Sequence, residues 1–114
     1  MPRLARSLMR TMRSLSKSRG HPPPTIKYEW LLSLLKNQTH CVATGFRFNY
    51  SGEIRNPLAP SLDRIDNARG YDPDNVRLVC WRVNRMRSNM SVNDFIDLCC
   101  AVAAKNGMVK IKDT

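Results

Sequence analysis

The stretch SLDRIDNARGYDPDNVRLVCWRVN, residues 61–84, decides how this chain folds. SLDRI is typical of a short strand, and DNARGYDPD is a loop rich in turn-forming residues. NVRLVC alternates as a second strand does, with Val76, Leu78 and Cys80 on one side. WRVNRMRSN then reads as a helix. The stretch therefore predicts a β-hairpin that leads directly into a helix.

Three side chains with oxygen donors are spaced along this stretch. Asp63 lies on the first strand, Asn75 begins the second, and Asn84 follows nine residues later on the helix. A hard divalent ion such as Mg²⁺ prefers oxygen ligands, which Asp63 and Asn84 can supply. Such an ion can stabilise the charge that develops on a scissile phosphate. The alternative is a simple Asp- and Asn-rich hairpin loop in which Asp63 bonds local backbone groups.

The ordered block SLDRID, RGY, NVRLVC and a following Asn resembles the HNH, or His-Me finger, endonucleases, most closely the small phage-type members. The resemblance covers residues 41–87. It implies an α+β fold, a small ββα-metal core with flanking helices. It also implies hydrolysis of DNA phosphodiester bonds with one divalent ion, Mg²⁺, Mn²⁺ or another. By position it implies Asp63 and Asn84 as metal ligands and Asn75 as a structural support that braces the loop.

One position departs from the family pattern. The general base of the family is a His directly after the first metal ligand, and here that residue is Arg64. An arginine stays protonated at any working pH, so it cannot serve as a base, although it could hold the scissile phosphate. His40 is then the leading candidate for the base. Asp66 or a metal-bound water are further candidates, and His21 in the proline linker ranks last.

Two functions are compatible with this departure. The first is a metal-dependent DNA endonuclease or nicking enzyme of HNH type. The alternative is a catalytically impaired HNH-like protein that binds DNA or regulates a partner, with Arg64 marking the loss of the base. Phage origin would place the protein in the cytoplasm of a bacterial host cell.

The charge balance favours DNA as the partner. Nineteen Lys and Arg face nine Asp and Glu, which gives a net charge of +10, and such an excess favours a polyanion. No apolar run approaches the roughly 20 residues needed to span a bilayer, so no membrane partner is expected. The side chains expected to contact DNA are Arg77, Arg82, Arg85, Arg87, Arg10, Arg13 and Lys17.

The chain divides into four segments by composition. Residues 1–20 form a basic amphipathic helix, interpreted as a DNA-binding arm, with a membrane-surface helix or a transit peptide as alternatives. Residues 21–24 are a stiff proline linker. Residues 25–107 make up the HNH-like domain, and residues 108–114 are a basic tail.

Two features near the ends of that domain complete the prediction. Thr25 is expected to cap a second helix, and Ser91 to cap a last helix with Asp94 at its third position. Apolar residues of the last helix recur at helical spacing and predict a stripe facing the core: Val92, Phe95, Ile96, Cys99, Val102 and Ala103.

The four cysteines do not form a CxxC pair, so no structural zinc is expected. Cys41 and Cys80 are interpreted at most as the remnant of a zinc site, and free thiols are the default.

Overall fold

The computed structural model describes residues 1–108. Within them the chain forms four helices and one two-stranded sheet: α1 Pro2–Ser18, α2 Tyr28–Asn37, β1 Pro60–Arg64, β2 Val76–Cys80, α3 Trp81–Arg87 and α4 Val92–Lys105. A short 3-10 turn, Pro73–Asn75, leads into β2. The fold is α+β. Apart from Met108, the predicted basic tail lies outside the described residues.

The hairpin of β1 and β2 forms the centre of the fold. The strands pair antiparallel, with Leu62 opposite Leu78 and Asp63 opposite Arg77. Leu78 and Val79 point to opposite faces of β2 and are both fully buried, so both faces of the strand are covered. The predicted order of strand, loop, strand and helix is confirmed.

The hairpin continues without a loop into α3. The first free N–H groups of a helix need acceptors outside it. Trp81 N–H donates to the Ala59 carbonyl at 2.7 Å and Arg82 N–H to the Pro57 carbonyl at 3.0 Å. The segment before β1 thus holds the start of α3 against the sheet.

Helix α1, the basic helix expected as a DNA-binding arm over residues 1–20, packs into the core. Ala5, Met9, Met12 and Ser16 recur at three- and four-residue spacing, and all are buried. Helix α1 packs against α2 and β1. The helix prediction agrees with the structure, but this buried stripe makes α1 part of the domain.

The proline linker is tied to the loop of the hairpin. His21 N–H donates to the Ser16 carbonyl at 2.9 Å, and Thr25 N–H donates to the Tyr71 carbonyl at 3.0 Å. The Thr25 hydroxyl donates to Asp72 Oδ1 at 2.7 Å. Thr25 therefore does not cap α2, which begins at Tyr28 without a side-chain cap. The linker instead lies along the site that the hairpin forms.

Helix α4 begins as predicted but does not bury its apolar stripe. Asp94 N–H donates to Ser91 Oγ at 3.1 Å, which is the expected cap. None of the fourteen residues of α4 is buried, so the predicted core stripe is wrong. The reason is the chain direction: Ser88 adopts a left-handed φ of 53° after α3, and the following turn leads α4 off the edge of the domain.

No helix within residues 1–108 combines the length and apolar character needed to cross a bilayer.

Candidate functional site

A cleft of about 820 Å³ lies between α1, β1 and α3. Leu8, Met12 and Leu15 of α1 form its apolar wall. The polar wall comes from the linker, the hairpin and α3: Arg19, His21, Ser61, Asp63, Arg64, Asn67, Asn84, Arg85, Ser88 and Asn89. The volume is in the usual range of ligand pockets.

Asp63 is the acidic side chain of this cleft, and two arginines hold it. Its side chain is 3% exposed. Arg77, its cross-strand neighbour, donates from Nε to Oδ2 at 2.9 Å, and Arg87 donates to Oδ1. A buried carboxylate needs such partners, because an unpaired buried charge costs several kcal/mol. The negative charge of Asp63 is therefore already offset within the protein.

Arg87 is a structural residue, which corrects its assignment to the DNA-contacting set. It is 1% exposed. All five guanidinium donors are used: Nε on the Met90 carbonyl, Nη1 on Asp63 and the Arg64 carbonyl, and Nη2 on that carbonyl and Asn67 Oδ1. No donor remains for a phosphate. As a charged residue, Arg87 is expected from sequence to face solvent. Its position at the end of α3 instead buries it against β1.

Asn84 contributes an oxygen to the cleft. Its Nδ2 donates to Ser61 Oγ at 2.8 Å and to the Leu62 carbonyl at 3.0 Å. Its Oδ1 accepts no hydrogen bond from residues 1–108. Asn84 and Asp63 line the same cleft, so the two oxygen-bearing side chains predicted as metal ligands lie together. In kind they fit a hard divalent ion, which often takes few protein ligands beside water and phosphate oxygens.

Asn75 ties the hairpin loop together. It is 1% exposed. Its Oδ1 accepts from Asp66 N–H at 2.9 Å, and its Nδ2 donates to the carbonyls of Asp66 and Gly70 at 3.1 and 2.8 Å. Buried amides are stable only when satisfied in this way. Asp66 itself is exposed and accepts from Ala68 N–H, so it is engaged in the loop and does not line the cleft.

Arg64 supports the loop and the linker at once. It is 8% exposed, and its Nη1 donates to the carbonyls of Asn67 and Arg69 at 3.0 and 2.9 Å. Its guanidinium also stands over the Tyr71 ring, 5.4 Å from the centroid. No hydrogen bond within residues 1–108 uses its Nε or Nη2. Arg64 is thus a cleft residue with spare donors, and its contact with a scissile phosphate stays a prediction.

His21 is the histidine that the structure brings to the site. Its Nε2 lies 2.9 Å from Arg64 Nη1. Because a guanidinium only donates, Nε2 is the acceptor; Nη1 has two N–H groups for three acceptors, so one N–H is shared between two of them. His21 ranks last among the sequence candidates for the base because it lies in the proline linker, and it is 43 positions from Arg64. No local pattern signals the contact, since the fold of the linker creates it.

His40 lies elsewhere and does not line the cleft. It forms an isolated bridge with Arg47 in an exposed turn, and its Nδ1 lies 2.7 Å from Thr39 Oγ1. The structure therefore does not bring His40 to the cleft, and its role as the leading base stays a prediction. Closeness in sequence to Cys41 does not bring it to the hairpin loop.

The remaining basic residues fall on two sides of the molecule. Arg85 is exposed, lines the cleft and stands 5.2 Å from the centroid of the Trp81 ring. Arg82 is exposed on the same helix. Arg10, Arg13 and Lys17 are also exposed. At 100° per residue these three lie across α1 from its cleft-facing side, so the structure does not bring them to Asp63 and Asn84.

Cys41 and Cys80 are buried neighbours with free thiols. Burial raises the pKa of Cys80, and the adjacent Cys41 raises it further. Burial opposes ionisation of Cys41 as well, but hydrogen bonds from Thr44 and from nearby backbone groups lower the pKa of Cys41. Within residues 1–108 no group of three or more His, Cys, Asp or Glu gathers as a metal cluster.

The fold and the cleft define an HNH-like ββα core. The chain is similar to the rare-cutting HNH restriction endonuclease PacI, with a TM-score of 0.62 and 24% sequence identity over 91% of this chain and 82% of that chain. No family model matches the sequence, and no curated protein matches it significantly. At this identity the likeness establishes the fold.

Proposed function

We propose that this chain is an HNH-type DNA endonuclease or nicking enzyme that hydrolyses a phosphodiester bond in the cleft between α1, β1 and α3. The observation that carries the proposal is the convergence of His21, Arg64, Asp63 and Asn84 on one cleft of a ββα core. An acceptor nitrogen, a fixed cation and two oxygen-bearing side chains together match what phosphodiester hydrolysis requires.

The cleft carries positive charge where a phosphate would bind. Arg19, Arg64 and Arg85 line it, and the negative charge of Asp63 is offset by Arg77 and Arg87. Guanidinium groups bind phosphate oxygens with directed, charge-assisted hydrogen bonds. A DNA backbone is therefore a better fit for this cleft than a neutral or cationic ligand.

His21 is the proposed general base. In the free protein Arg64 Nη1 occupies the lone pair of His21 Nε2. A phosphate in the cleft offers a charged acceptor to the spare Nε and Nη2 donors of Arg64, and a turn of the guanidinium toward it draws Nη1 away from the imidazole. Release from Arg64 leaves Nε2 free to accept a proton from water as it attacks phosphorus. Arg64 thereby couples substrate binding to the readiness of the base, and His21 is used only when a phosphate is present.

A divalent ion is part of the proposal. Asp63 and Asn84 Oδ1 would hold it, and when bound it would supply positive charge to the developing phosphorane and leaving oxygen. Arg77 and Arg87 hold the carboxylate of Asp63 in a fixed position.

Nicking of supercoiled plasmid with and without Mg²⁺ or Mn²⁺ tests the proposal. The wild-type chain is expected to nick, and Asn84→Ala is expected to lower the rate about 10–100-fold. Asn93→Ala on exposed α4 is the matched control and should behave as wild type. Asp63→Ala is a poor test, because it leaves Arg77 and Arg87 without their acceptor. An intact plasmid at every protein and metal concentration contradicts the proposal.

A second candidate is DNA binding without cleavage, and one observation favours it. Both oxygens of Asp63 already accept from guanidinium groups, so a cation would face Arg77 and Arg87 on the same carboxylate. In this function the affinity for DNA is the same in EDTA and in Mg²⁺, and falls steeply with salt. If the affinity for DNA is equal in EDTA and in Mg²⁺ and no nicking occurs, the chain is a binding protein. If nicking depends on Mg²⁺, the chain is an enzyme.

A further inference from the structure

A second hollow, of about 240 Å³, lies where α1 meets α2. Its lining consists of three arginines and a methionine of α1 and the first residue of α2: Arg6, Met9, Arg10, Arg13 and Tyr28. Met9 is 5% exposed, and Tyr28 packs against the core. These five residues form the basic hollow, a site whose floor and one wall are fixed by the fold.

The three arginines of the basic hollow converge without a counter-charge. Arg6, Arg10 and Arg13 follow one another at four- and three-residue spacing, so they are neighbours on one side of α1. Like charges at this spacing destabilise a helix. All four ion pairs in the described part of the chain involve arginines outside α1. The guanidinium donors of the hollow are therefore available to an anionic ligand.

The chemistry of the basic hollow fits a phosphate group. Guanidinium groups bind phosphate oxygens with paired, charge-assisted hydrogen bonds, and the Tyr28 hydroxyl can donate a further one. At about 240 Å³, the hollow is smaller than the ~300–1,000 Å³ of pockets that enclose a drug-sized ligand. It therefore accommodates one small anionic group of a ligand whose remainder lies outside.

The surroundings of the hollow favour DNA over a membrane as the source of that phosphate. Arg3 and Lys17 are exposed and extend the row of cations along the same side of α1, over about 21 Å. A helix that binds a membrane surface inserts its apolar side, but the apolar side of α1 is buried against α2 and β1. A linear row of cations instead matches the regular phosphates of a DNA backbone.

The basic hollow and the cleft lie on opposite sides of α1, and they share no lining residue. At 100° per residue, the mean direction of the three arginines lies about 160° from that of Leu8, Met12 and Leu15, which line the cleft. A helix with its side chains is about 10–12 Å across. Phosphates in the two sites are thus approached from opposite directions, which one straight segment of DNA does not provide.

We propose that the basic hollow is a second phosphate-binding site for DNA, which holds a DNA segment other than the one in the cleft. Arg6, Arg10 and Arg13 bind the phosphodiester, and the Tyr28 hydroxyl donates to it. One chain thereby bridges two duplexes. The proposal rests on DNA as the partner, as both functions proposed above do, but it does not depend on cleavage.

Fluorescence resonance energy transfer between two duplexes tests the bridging. Donor-labelled and acceptor-labelled duplexes of about two helical turns (~20 bp) are mixed with the full chain in EDTA. Transfer is expected to rise with chain concentration and to fall when the chain is in excess, because each duplex then binds its own chain. Arg6→Gln with Arg10→Gln and Arg13→Gln should raise the chain concentration for half-maximal transfer at least about tenfold.

Two further variants separate a defined site from net charge. Lys36, Arg47 and Arg55 are exposed and line neither the cleft nor the basic hollow. Replacing all three with Gln removes the same charge and should leave transfer within about twofold of wild type. Tyr28→Phe removes only a hydroxyl and should weaken transfer about 3- to 10-fold. If the control variant loses as much transfer as the α1 triple variant, net charge accounts for the bridging and the proposal is overturned.

Nicking of supercoiled plasmid, measured separately, distinguishes failure of this proposal from failure of the proposed function. At saturating DNA the α1 triple variant should nick within about threefold of the wild-type rate, because its cleft is intact. A wild-type chain that nicks without energy transfer overturns the second site alone, and so does a hollow that binds only free inorganic phosphate. Undiminished transfer in the triple variant also overturns it. Transfer without nicking supports the second site and contradicts the enzyme.

Discussion

Arg64 and His21 form the contact that changes the interpretation of this chain most. Arg64 stands where a catalytic histidine is expected, and His21 reaches the same cleft from the proline linker. His21 Nε2 lies 2.9 Å from Arg64 Nη1, which only donates, so the ring nitrogen that a base would use is the acceptor in this contact. In the proposed mechanism the roles are divided between two residues: His21 accepts the proton and Arg64 binds the phosphate.

Replacing His21 tests this division. His21→Gln keeps a polar side chain but removes the basic nitrogen, so nicking is expected to fall by about 10²–10⁴-fold. DNA affinity, measured by fluorescence anisotropy, should change less than about threefold. His40→Gln is the matched control and should retain the wild-type rate, because His40 lies outside the cleft. If the nicking rate falls equally in both variants, His21 is not the general base.

Replacing Arg87 tests its role as a structural residue. Arg87→Met leaves Asp63 buried with Arg77 alone and removes five hydrogen bonds, so the free energy of unfolding should fall by about 3–5 kcal/mol. Urea denaturation followed by circular dichroism measures the change. Arg82→Met, an exposed arginine of the same helix, should cost no more than about 0.5 kcal/mol. If Arg87→Met also lowers the free energy of unfolding by no more than about 0.5 kcal/mol, Arg87 does not have a structural role.

The side chains of the site differ in how well their positions in the fold can be predicted from sequence. Asp63 and Asn84 could be placed, because a hairpin followed directly by a helix brings them to one cleft; their role as metal ligands stays a prediction. His21 and Arg87 could not be placed. Their positions come from the path of the linker and the end of α3, and tertiary contacts over 24 to 43 residues leave no periodic signal.

Among the elements, α1 and α4 show the limits of an apolar stripe. The sequence predicts the stripe of α1 as one face of a DNA-binding arm, and the structure buries it. The stripe of α4 was interpreted as core and is exposed. Periodicity identifies a helix and its apolar side, but it does not identify the surface that covers that side. The hairpin and α3 were predictable because their connections leave only one arrangement.

Helix α1 should therefore contribute to stability. Met12 is 1% exposed, and Met12→Ala is expected to lower the free energy of unfolding by about 2–5 kcal/mol. Thermal melting and urea denaturation measure it. Met86→Ala removes the same atoms from a side chain that is 56% exposed and should stay within about 0.5 kcal/mol of wild type. If Met12→Ala has the free energy of unfolding of the wild type, α1 does not contribute to the stability of the core.

Within residues 1–108, two groups of basic residues that could contact DNA lie apart on the molecule. One lies in the cleft at Arg19, Arg64 and Arg85. The other is the outer side of α1 with Arg10, Arg13 and Lys17, across the helix from the cleft. Straight DNA in the cleft does not reach the outer side of α1 without bending or a second contact. The assignment of these three residues to DNA binding thus requires a test of its own.

The salt dependence of DNA binding provides that test. Arg10→Gln with Arg13→Gln removes two charges, and two lost phosphate contacts should lower the slope of log affinity against log salt by about 2. Lys27→Gln with Lys36→Gln makes the same change in charge on exposed positions of the α2 region and should alter the slope by less than about 0.5. If the two double variants have equal slopes, Arg10 and Arg13 do not contact phosphates and belong to a solvated face of α1.

The hydrogen bonds of Arg87 also determine when the site can form during synthesis of the chain. Asp63 and Arg64 leave the ribosome before Arg87, and α1 and the linker leave earlier still. Until Arg87 emerges, Asp63 has no second guanidinium and the cleft lacks the end of α3. Domains complete their folding only when their long-range contacts can close. A nascent chain that stops short of residue 87 therefore carries the residues of the site without the site itself.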